Sequence, residues 1–478
     1  MSSGKKVCTP TRREFLLGSA SAAFSASTIK PSTAAASTNI ALIPEVGAAR
    51  LLGADKPQTE IWGYGGRVPG PLLRVQQGET LNASLINAIG QPTTVHWHGI
   101  RIANSMDGVP GLTQAPVQPG GKFDYSFVCP DAGTYWYHPH KTASEQIARG
   151  LHGILIVDEL EPPKVDQDLT LVFDDWRLKR DNQIHSESFG SIGERAHGGR
   201  YGNVFTLNGS SDYVIDAVAG ERLRLRMCNV SNANIFAITI PDHRLTIIAI
   251  DGQPVEPVLA RSNRIVLATG QRADIIIDLE GAPGNKSPIE VSAFREQFTV
   301  GAISYHASER KREQPLEAPI RLKPNPLNTQ LDTVSPKNVT LMMEGGAMGR
   351  LDGAHIGDKW LSMNELVRQK GFVWALDGHA GMPDKPLFSV KQGQTVVVKM
   401  INKTGWPHAM HLHGHHFRAL KSSLDAQPQP WWRDTQLIFS HEEVSLAFVA
   451  DNPGKWMLHC HMLEHHEGGM STWFEVQA

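Results

Sequence analysis

The chain has 478 residues, with 46 Lys and Arg against 48 Asp and Glu and a formal net charge of -2. These charges are interspersed, which excludes the basic surface of a nucleic-acid-binding protein or of a protein that binds anionic membranes. The length suffices for several domains, each able to bury a site. The 44 Gly and 30 Pro favour many short strands over a helical chain.

The N-terminus carries a targeting pattern. Arg12 and Arg13 precede a mildly apolar run at 15–26, and Ala34 and Ala36 fit a small-residue cleavage site. Two adjacent arginines are by themselves usually surface charge, but their place before this run favours a signal. We predict that residues 1–36 direct export by the twin-arginine machinery to the periplasm. The apolar run is too short to span a membrane, so we expect no membrane anchor in the mature protein.

The cysteines limit the covalent options. Cys8 would leave with the signal, so the mature chain keeps Cys129, Cys228 and Cys460. An odd number in an exported protein leaves at least one unpaired thiol. Cys129 and Cys228 either form one disulfide or remain as two separately buried thiols. Cys460 then needs another role.

An internal repeat organises the chain. Three segments share a glycine turn, an alternating strand and a final Asn: "LRVQQGETLNASLIN", "IDAVAGERLRLRMCN" and "FSVKQGQTVVVKMIN". Three copies predict three similar β domains, at residues 40–160, 165–310 and 335–478, with the Pro-rich "QPLEAPIRLKPNPLNTQ" as a linker before the third. The predicted fold class is all-β, with three Greek-key sandwiches.

Four histidine pairs occur at positions fixed by that repeat. Side chains at i and i+2 of a strand share a face, so each pair offers two imidazoles to one pocket. The pairs are His96 and His98, His138 and His140, His411 and His413, and His459 and His461. At the matching positions the middle copy has Ile238 and Ile240. The sequence therefore predicts a cluster of more than one metal ion between the first and third domains.

The strand alternation turns Cys460 away from His459 and His461. On its own side it can meet His408, His465 and Met470. Two imidazoles, a thiolate and a weak thioether are the ligand set of a blue-copper electron-transfer site. The predicted strand therefore carries one copper on one face and part of a cluster on the other.

Each piece also has a plainer interpretation. A lone pair of this kind is more often core histidine or a loose zinc site, Cys460 could be a buried thiol, and Met470 could be packing. Ten of the 21 histidines fall in four motifs placed by an independent repeat, which favours copper binding.

"HWHG", "HPH", "HAMHLHG" and "HCHMLEHHEGGM" resemble the copper signatures of the three-domain multicopper oxidases. The resemblance implies three cupredoxin-like domains and four copper ions, with each ligand position filled. It assigns the type 1 copper to His408, Cys460, His465 and Met470, and the type 2 copper to His96 and His411. It assigns one type 3 copper to His98, His138 and His461, and the other to His140, His413 and His459.

The resemblance also implies a reaction, in which a reducing substrate is oxidised in four one-electron steps and O2 is reduced to two waters. The partners are thus O2 and a small-molecule or metal-ion reductant. Asp107 stands where similar bacterial enzymes carry an acid that supplies protons, although an aspartate before glycine is equally typical of a turn. A second family acid follows the last type 1 histidine. That position is His466 here, with Glu467 next, which leaves the second proton donor open.

The sequence favours a laccase-like oxidase of phenols or aromatic amines. Relatives that oxidise Cu(I) have an Asp and a Met before the first type 1 histidine, where this chain has Thr404 and Trp406. The methionines in "MMEGGAM" are expected to pack in the core. Trp406, Trp431 and Trp432 offer aromatic contacts near the type 1 site or, more simply, core packing.

The alternatives are oxidation of Cu(I) or Mn(II), a non-catalytic cell-envelope scaffold of the same fold, and a copper store or chaperone. Retention of all ligand positions argues against the scaffold.

Overall fold

The computed structural model describes residues 38–293, 296–314, 316–318 and 321–478. The predicted signal, including Cys8, Arg12 and Arg13, lies outside the described residues and stays a prediction. Within the described part of the chain, no helix combines the length and the apolarity needed to cross a bilayer.

The first domain is built from short strands whose inward positions are apolar. Within the described residues these strands are β1 (Thr38–Leu42), β2 (Pro44–Ala49), β3 (Thr59–Tyr64), β4 (Leu73–Gln76), β5 (Thr80–Ile86), β6 (His96–His98), β7 (Lys122–Val128), β8 (Gly133–His138) and β9 (Gly153–Asp158), with helix α1 (Ala143–Ala148) and a 3-10 turn at Asn104–Met106. They form sheets in the orders β1-β5-β7, β4-β9-β8-β6 and β2-β3.

The middle domain is a sandwich of a six-stranded and a five-stranded sheet. In the described chain its strands are β10 (Gln167–Trp176), β11 (Val204–Leu207), β12 (Tyr213–Ala219), β13 (Arg222–Asn229), β14 (Phe236–Thr239), β15 (Thr246–Ile250), β16 (Gln253–Leu259), β17 (Ile265–Leu267), β18 (Arg272–Asp278), β19 (Lys286–Ala293) and β20 (Glu296–Arg310), with helix α2 (Ile192–Ala196) and 3-10 turns at Ser186–Ser188 and Arg261–Asn263. The sheet orders are β11-β10-β13-β18-β15-β16 and β12-β20-β19-β14-β17.

The third domain repeats this plan and adds a hairpin. Its described strands are β21 (Lys337–Gly345), β22 (Gly353–Ile356), β23 (Lys359–Ser362), β24 (Trp374–Leu376), β25 (Ser389–Lys391), β26 (Thr395–Asn402), β27 (His408–Leu412), β28 (Phe417–Ser422), β29 (Trp432–Arg433), β30 (Thr435–Ile438), β31 (Glu443–Val449), β32 (Gly454–Cys460) and β33 (Ser471–Gln477), with helices α3 (Met363–Lys370) and α4 (Leu463–Glu467). The sandwich orders are β24-β21-β26-β31-β28-β29 and β25-β33-β32-β27-β30. The all-β prediction is confirmed, and the described helices are short.

The three copies of the sequence repeat occupy equivalent strands. β5, β13 and β26 each pair in parallel with an earlier strand, β1, β10 or β21. Each also pairs in antiparallel with a later strand, β7, β18 or β31. Alternate residues of β5 are buried, as one core-facing side of a strand requires. The repeat therefore predicts the sheet position as well as the strand.

The cores explain why the outer domains meet. One continuous cluster of buried apolar side chains joins the first and third domains, and a separate cluster fills the middle domain. Ile238 and Ile240 belong to the middle cluster and are fully buried. Where the outer domains carry histidines, the middle one has ordinary core.

Cys129 and Cys228 are both buried and unpaired among the described residues. Cys129 lies in the shared core of the outer domains, and Cys228 packs in a small cluster with Trp136 and Val172. Of the two interpretations left open by the sequence, two separate thiols is the one that the structure shows.

A buried charge network joins the first and middle domains. The guanidinium of Arg224 is fully buried and donates to Glu159 Oε1 at 2.7 Å and to Asp274 Oδ2 at 2.6 Å. Asp274 Oδ1 also accepts from Thr134 Oγ1 at 2.6 Å. The network therefore links β9 and β8 of one domain to β13 and β18 of the next.

We expect Arg224→Met to lower the free energy of unfolding by about 3–5 kcal/mol, because the buried carboxylates of Glu159 and Asp274 lose their shortest ion pairs and keep only Arg226, at 3.7 and 3.3 Å. Arg244→Met is the matched control, since its ion pair with Glu280 at 3.1 Å lies in solvent, with 73% of the arginine side chain exposed. That variant should cost less than ~1 kcal/mol. Urea denaturation followed by tryptophan fluorescence measures both. Equal losses in the two variants would contradict a structural role for this network.

Candidate metal centres

The histidine pairs lie on two strand pairs or, for His140, His413 and His461, just past a strand end. β6 and β8 pair in antiparallel, with His96 opposite His138. β27 and β32 do the same in the third domain, with His411 opposite His459. Because the partners face each other directly, each strand pair presents its imidazoles as a group.

The eight imidazoles meet between the first and third domains. His413 Nε2 lies 3.1 Å from His459 Nε2, and His140 Nε2 lies 3.4 Å from the same atom. On the other side, His138 Nε2 is 3.4 Å from His461 Nε2. The rings of His98 and His411 stack at 3.7 Å between centroids. Groups of possible ligand atoms within 4.8 Å of one another include His140, His413 and His459, and also His96, His98 and His138.

The hydrogen bonds fix which nitrogen each ring presents to the cluster. His96 Nδ1 donates to Asp107 O at 2.8 Å, and His411 Nδ1 donates to Asp434 O at 3.0 Å. Their Nε2 atoms are buried without any hydrogen-bond partner, and so is Nδ1 of His98. Buried nitrogens are rarely left unpaired. Metal-binding histidines typically anchor one nitrogen to a carbonyl or carboxylate and offer the other.

The remaining rings follow the same rule. His138 Nδ1 donates to Pro139 O and His459 Nδ1 to Cys460 O, both at 2.9 Å. Their Nε2 atoms, which face other imidazole nitrogens at 3.1–3.4 Å, therefore carry lone pairs. Facing lone pairs at this distance repel unless a cation lies between them.

That cation is not a proton. Burial, followed by neighbouring imidazoles, lowers the pKa well below the ordinary histidine value at His138, His140, His413, His459 and His461. The rings are neutral near neutral pH, which is the state that binds metal. The residues present therefore fit a cluster of metal ions.

A second site lies on the opposite face of β32. Cys460 Sγ is 3.6 Å from His408 Nδ1 and 3.7 Å from His465 Nδ1, and the two nitrogens are 3.0 Å apart. All three side chains are fully buried, as is Met470. The backbone N–H of Cys460 donates to Met470 O at 3.1 Å, so the backbones of the two residues are adjacent.

The Nε2 atoms of this site are both occupied. His408 Nε2 donates to Thr404 Oγ1 at 2.8 Å, and His465 Nε2 donates to His197 O at 2.6 Å. The two Nδ1 lone pairs therefore point at the thiol. Burial raises the pKa of Cys460 to about 12, so a metal ion must displace the proton to bind the thiolate. The donor set of two imidazoles and one thiolate suits copper.

One peptide segment connects the two sites. Cys460 is bonded directly to His459 and His461, and the carbonyl of Cys460 accepts from His459 Nδ1. The sulfur and the two imidazoles point to opposite faces, as the alternation of β32 predicts.

Asp107 lies between ligand candidates and is fully buried. Its Oδ2 accepts from His413 Nδ1 at 2.9 Å, and its Oδ1 is 3.2 Å from His96 Nδ1. Since that histidine donates to the Asp107 carbonyl, Oδ1 has no hydrogen-bond donor of its own. The structure therefore places Asp107 in contact with two imidazoles, and its role as an acid stays a prediction.

The middle domain supplies contacts that the sequence analysis missed. Thr269 Oγ1 donates to Ser231 O at 2.5 Å and lies 3.3 Å from His461 Nδ1, from which it can accept. Arg272 donates from both Nη atoms to Asp434 at 2.9 and 2.6 Å. The only signal in the sequence is an arginine at the head of "RADIIID", a strand with a largely apolar middle.

Asp434 joins this arginine to the imidazoles. Its Oδ1 accepts from His98 Nε2 at 3.1 Å, while its carbonyl accepts from His411 Nδ1. Burial opposes ionisation of Asp434, but Arg272 and His98 outweigh it and hold the pKa of the carboxyl well below its ordinary value. Asp434 therefore orients two ring planes at once, that of His98 through its carboxylate and that of His411 through its carbonyl.

Gly270 lets the middle domain approach closely. A Cβ at this position would lie 3.0 Å from His461 Cγ and 3.0 Å from His98 Cε1, and the residue has φ of +84°. Only glycine combines this conformation with the close approach.

We expect Gly270→Ala to displace these two imidazoles and to lower kcat at least roughly tenfold, the lower end for disturbed outer-shell partners of metal ligands. Gly284→Ala is the matched control, because Gly284 has φ of +80° but its nearest atom would be 3.8 Å from the new Cβ. Copper content and turnover should change only in the first variant. Unchanged copper content and kcat in Gly270→Ala would contradict the close contact.

The two residues that follow the last type 1 histidine have different neighbours. The ring of His466 lies 4.6 Å from that of His459, while Glu467 accepts from Ser144 N and Oγ at 2.9 and 2.7 Å.

The methionines of "MMEGGAM" differ in burial. Met343 is core, as expected, but Met348 is 78% exposed. The expectation of packing is therefore wrong for Met348, which lies in a surface turn at φ of +64°.

The tryptophans also separate. Trp406 is half-buried and donates from Nε1 to Ala347 O at 2.9 Å, two residues before His408. Trp431 packs against the middle-domain core, and Trp432 lies beside Arg418. Of the three, only Trp406 lies near the type 1 site in the contacts described, because its ring contacts that of His197, whose carbonyl binds His465 Nε2.

The chain matches known proteins along most of its length. Three family models described as multicopper oxidase match residues 45–162, 167–292 and 359–478. Multicopper oxidase MmcO of Mycobacterium tuberculosis is 29% identical over 436 residues, which cover 86% of this chain and 82% of that protein. Laccase-1 of Botryotinia fuckeliana is 27% identical over 463 residues, which cover 88% of this chain and 80% of that protein.

Solved structures agree. A multi-copper oxidase from Pseudomonas thermotolerans has a TM-score of 0.80 at 31% identity, covering 92% of this chain and 100% of that one. Lac15 from a marine microbial metagenome has a TM-score of 0.73 at 36% identity, covering 91% of this chain and 100% of that one. The chain belongs to the multicopper oxidase family.

Proposed function

We propose that this multicopper oxidase is laccase-like and takes its electrons from phenols or aromatic amines. The class itself follows from the family, as a copper-dependent oxidoreductase with O2 as acceptor and four copper ions. The proposal adds the substrate class and the ligand roles. The twelve residues of the four motifs hold the ions in the type 1, type 2 and type 3 sets given above.

Bound copper would supply the one-electron chemistry and the site for O2. The protein's residues hold the ligands in place. Asp434 and Asp107 orient imidazoles on either side of the cluster, and the apolar burial of the site excludes water, which strengthens these charge interactions. Asp107 can hold a proton at Oδ1, the oxygen without a donor, and deliver it as O2 is reduced.

One observation carries the choice of an aromatic substrate. Beside the type 1 histidines the chain places Trp406, a half-buried indole fixed by its hydrogen bond to Ala347 O. Thr404 is already bound to His408 Nε2, so its hydroxyl is not free to bind a metal substrate. The residues beside the type 1 histidines therefore favour an apolar, flat reductant over Cu(I) or Mn(II).

The test is O2 consumption by the copper-loaded protein with a simple phenol, Cu(I) and Mn(II) in parallel. We expect the phenol to give the highest kcat/KM. A preference for either metal ion would replace the proposal with a metal oxidase. Copper binding without O2 uptake on any reductant would indicate a store or chaperone, and absence of both would indicate a scaffold.

We further propose export by the twin-arginine machinery to the periplasm. The support is the order of Arg12 and Arg13, the apolar run and the small residues at 34 and 36. Arg12→Lys with Arg13→Lys should retain the precursor in the cytoplasm. Cell fractionation followed by immunoblotting decides this, and periplasmic protein in the double variant would contradict the export route.

A further inference from the structure

The type 1 imidazole is covered by the middle domain. Helix α2 ends in three successive carbonyls, at Arg195, Ala196 and His197, and each accepts a hydrogen bond from the third domain. The donors are Trp374 Nε1, Ala347 N and His465 Nε2, each at 2.6 Å. The last carbonyls of a helix have no partner within it, and here this group lies over the type 1 site.

The carbonyl groups at the end of α2 limit which atoms a reductant can contact. His465 and His408 are both fully buried, and their Nε2 atoms are bound to His197 O and Thr404 Oγ1. A molecule in solvent therefore cannot contact either ring at that edge. The shortest bonded route inward crosses the peptide of His197 and its hydrogen bond to His465.

The outer side of the same residue faces solvent. The His197 side chain is exposed, and its Nδ1 donates to Gly193 O at 2.7 Å, which leaves Nε2 as an acceptor. Its ring lies 5.7 Å from that of Trp406, at 69°. Met348 adjoins the residue before Trp406, since a Cβ on Gly405 would be 3.2 Å from Met348 Cβ. The imidazole acceptor of His197, the indole of Trp406 and the exposed thioether of Met348 therefore lie around the carbonyl that covers His465.

We propose that the aromatic reductant docks against His197 and Trp406, with Met348 at the rim, and that His197 is a specificity-determining residue. This proposal rests on the proposed function. A phenol would donate its hydroxyl to His197 Nε2 while its ring packs against Trp406. The phenol would give up one electron per step, across the His197 carbonyl, to the one-electron acceptor that copper held by His408, Cys460 and His465 would supply, and its proton would leave to bulk water. The phenoxyl radical then dissociates.

The test uses His197→Ala, which keeps the covering carbonyl and removes only the exposed ring. The binding probe is 4-fluorobenzamide, an aromatic that is not oxidised, whose 19F resonance is broadened when it binds near oxidised copper. We expect the broadening to fall roughly fivefold or more and kcat/KM for a phenol to fall about tenfold, the size of one lost aromatic contact. The blue absorption and the reoxidation of reduced enzyme by O2 should not change.

His306→Ala is the matched control, an exposed histidine of the same domain that pairs with Glu309 at 3.7 Å. It should alter neither broadening nor turnover. If the wild type oxidises phenols and His197→Ala keeps both the broadening and kcat/KM, this docking surface is overturned while the proposed function stands. If the wild type prefers Cu(I), and Met348→Leu lowers that activity, the surface binds a soft metal ion and both proposals fail.

Discussion

Cys460→Ser should abolish the blue colour and reduce turnover below detection while the protein still folds. The sulfur is the only thiol within reach of His408 and His465 among the described residues, at 3.6 and 3.7 Å. A serine hydroxyl is neither a soft ligand nor ionised near neutral pH, so the copper-thiolate bond responsible for the colour cannot form. Visible absorption, O2 uptake and circular dichroism measure the three parts of this expectation.

Cys228→Ser separates the role of the thiol from its burial. Cys228 is also fully buried and unpaired, and burial raises the pKa of its thiol as it does at Cys460. Both serine variants place a hydroxyl in an apolar site at a similar cost, on the order of 1–3 kcal/mol. Only Cys460→Ser should lose colour. A blue Cys460→Ser protein would remove Cys460 from the type 1 site.

The motifs predicted which side chains cluster because strand alternation is a local rule. His459, Cys460 and His461 need only the pleat of β32 to point to opposite sides. The repeat added the long-range information, since β5, β13 and β26 occupy equivalent sheet positions. Local pattern and repeat together were enough to bring pairs from two distant segments into one cluster.

The residues that hold the ligands were not predictable in this way. Arg272, Asp434 and Thr269 act through contacts between domains, with the arginine and the aspartate 162 positions apart in the chain, and none belongs to a histidine motif. A buried arginine in a strand shows that a partner exists, but a single sequence does not say which carboxylate it is. The covering carbonyl of His197 carries no side-chain signal at all, because any residue has a carbonyl.

Asp434→Asn should cost the enzyme copper from the cluster and most of its activity. The neutral amide cannot balance the buried Arg272 guanidinium. In either orientation of the amide, its NH2 group also faces another donor, either Arg272 Nη2 or His98 Nε2. Outer-shell partners of metal ligands are worth about 10–100-fold in metal affinity or activity. We therefore expect copper content to fall from four ions toward three. We expect kcat to fall about 10–100-fold.

Loss of stability alone would not explain that result, and Asp274→Asn shows why. Asp274 is an equally buried carboxylate bound to Arg224 at 2.6 Å, and breaking either pair should cost about 3–5 kcal/mol. Its contacts described here run to Arg224, Arg226 and Thr134 and to no imidazole. Copper analysis should therefore show a loss in Asp434→Asn and not in Asp274→Asn. Equal copper loss in both would mean that the middle domain supports the cluster only through general stability.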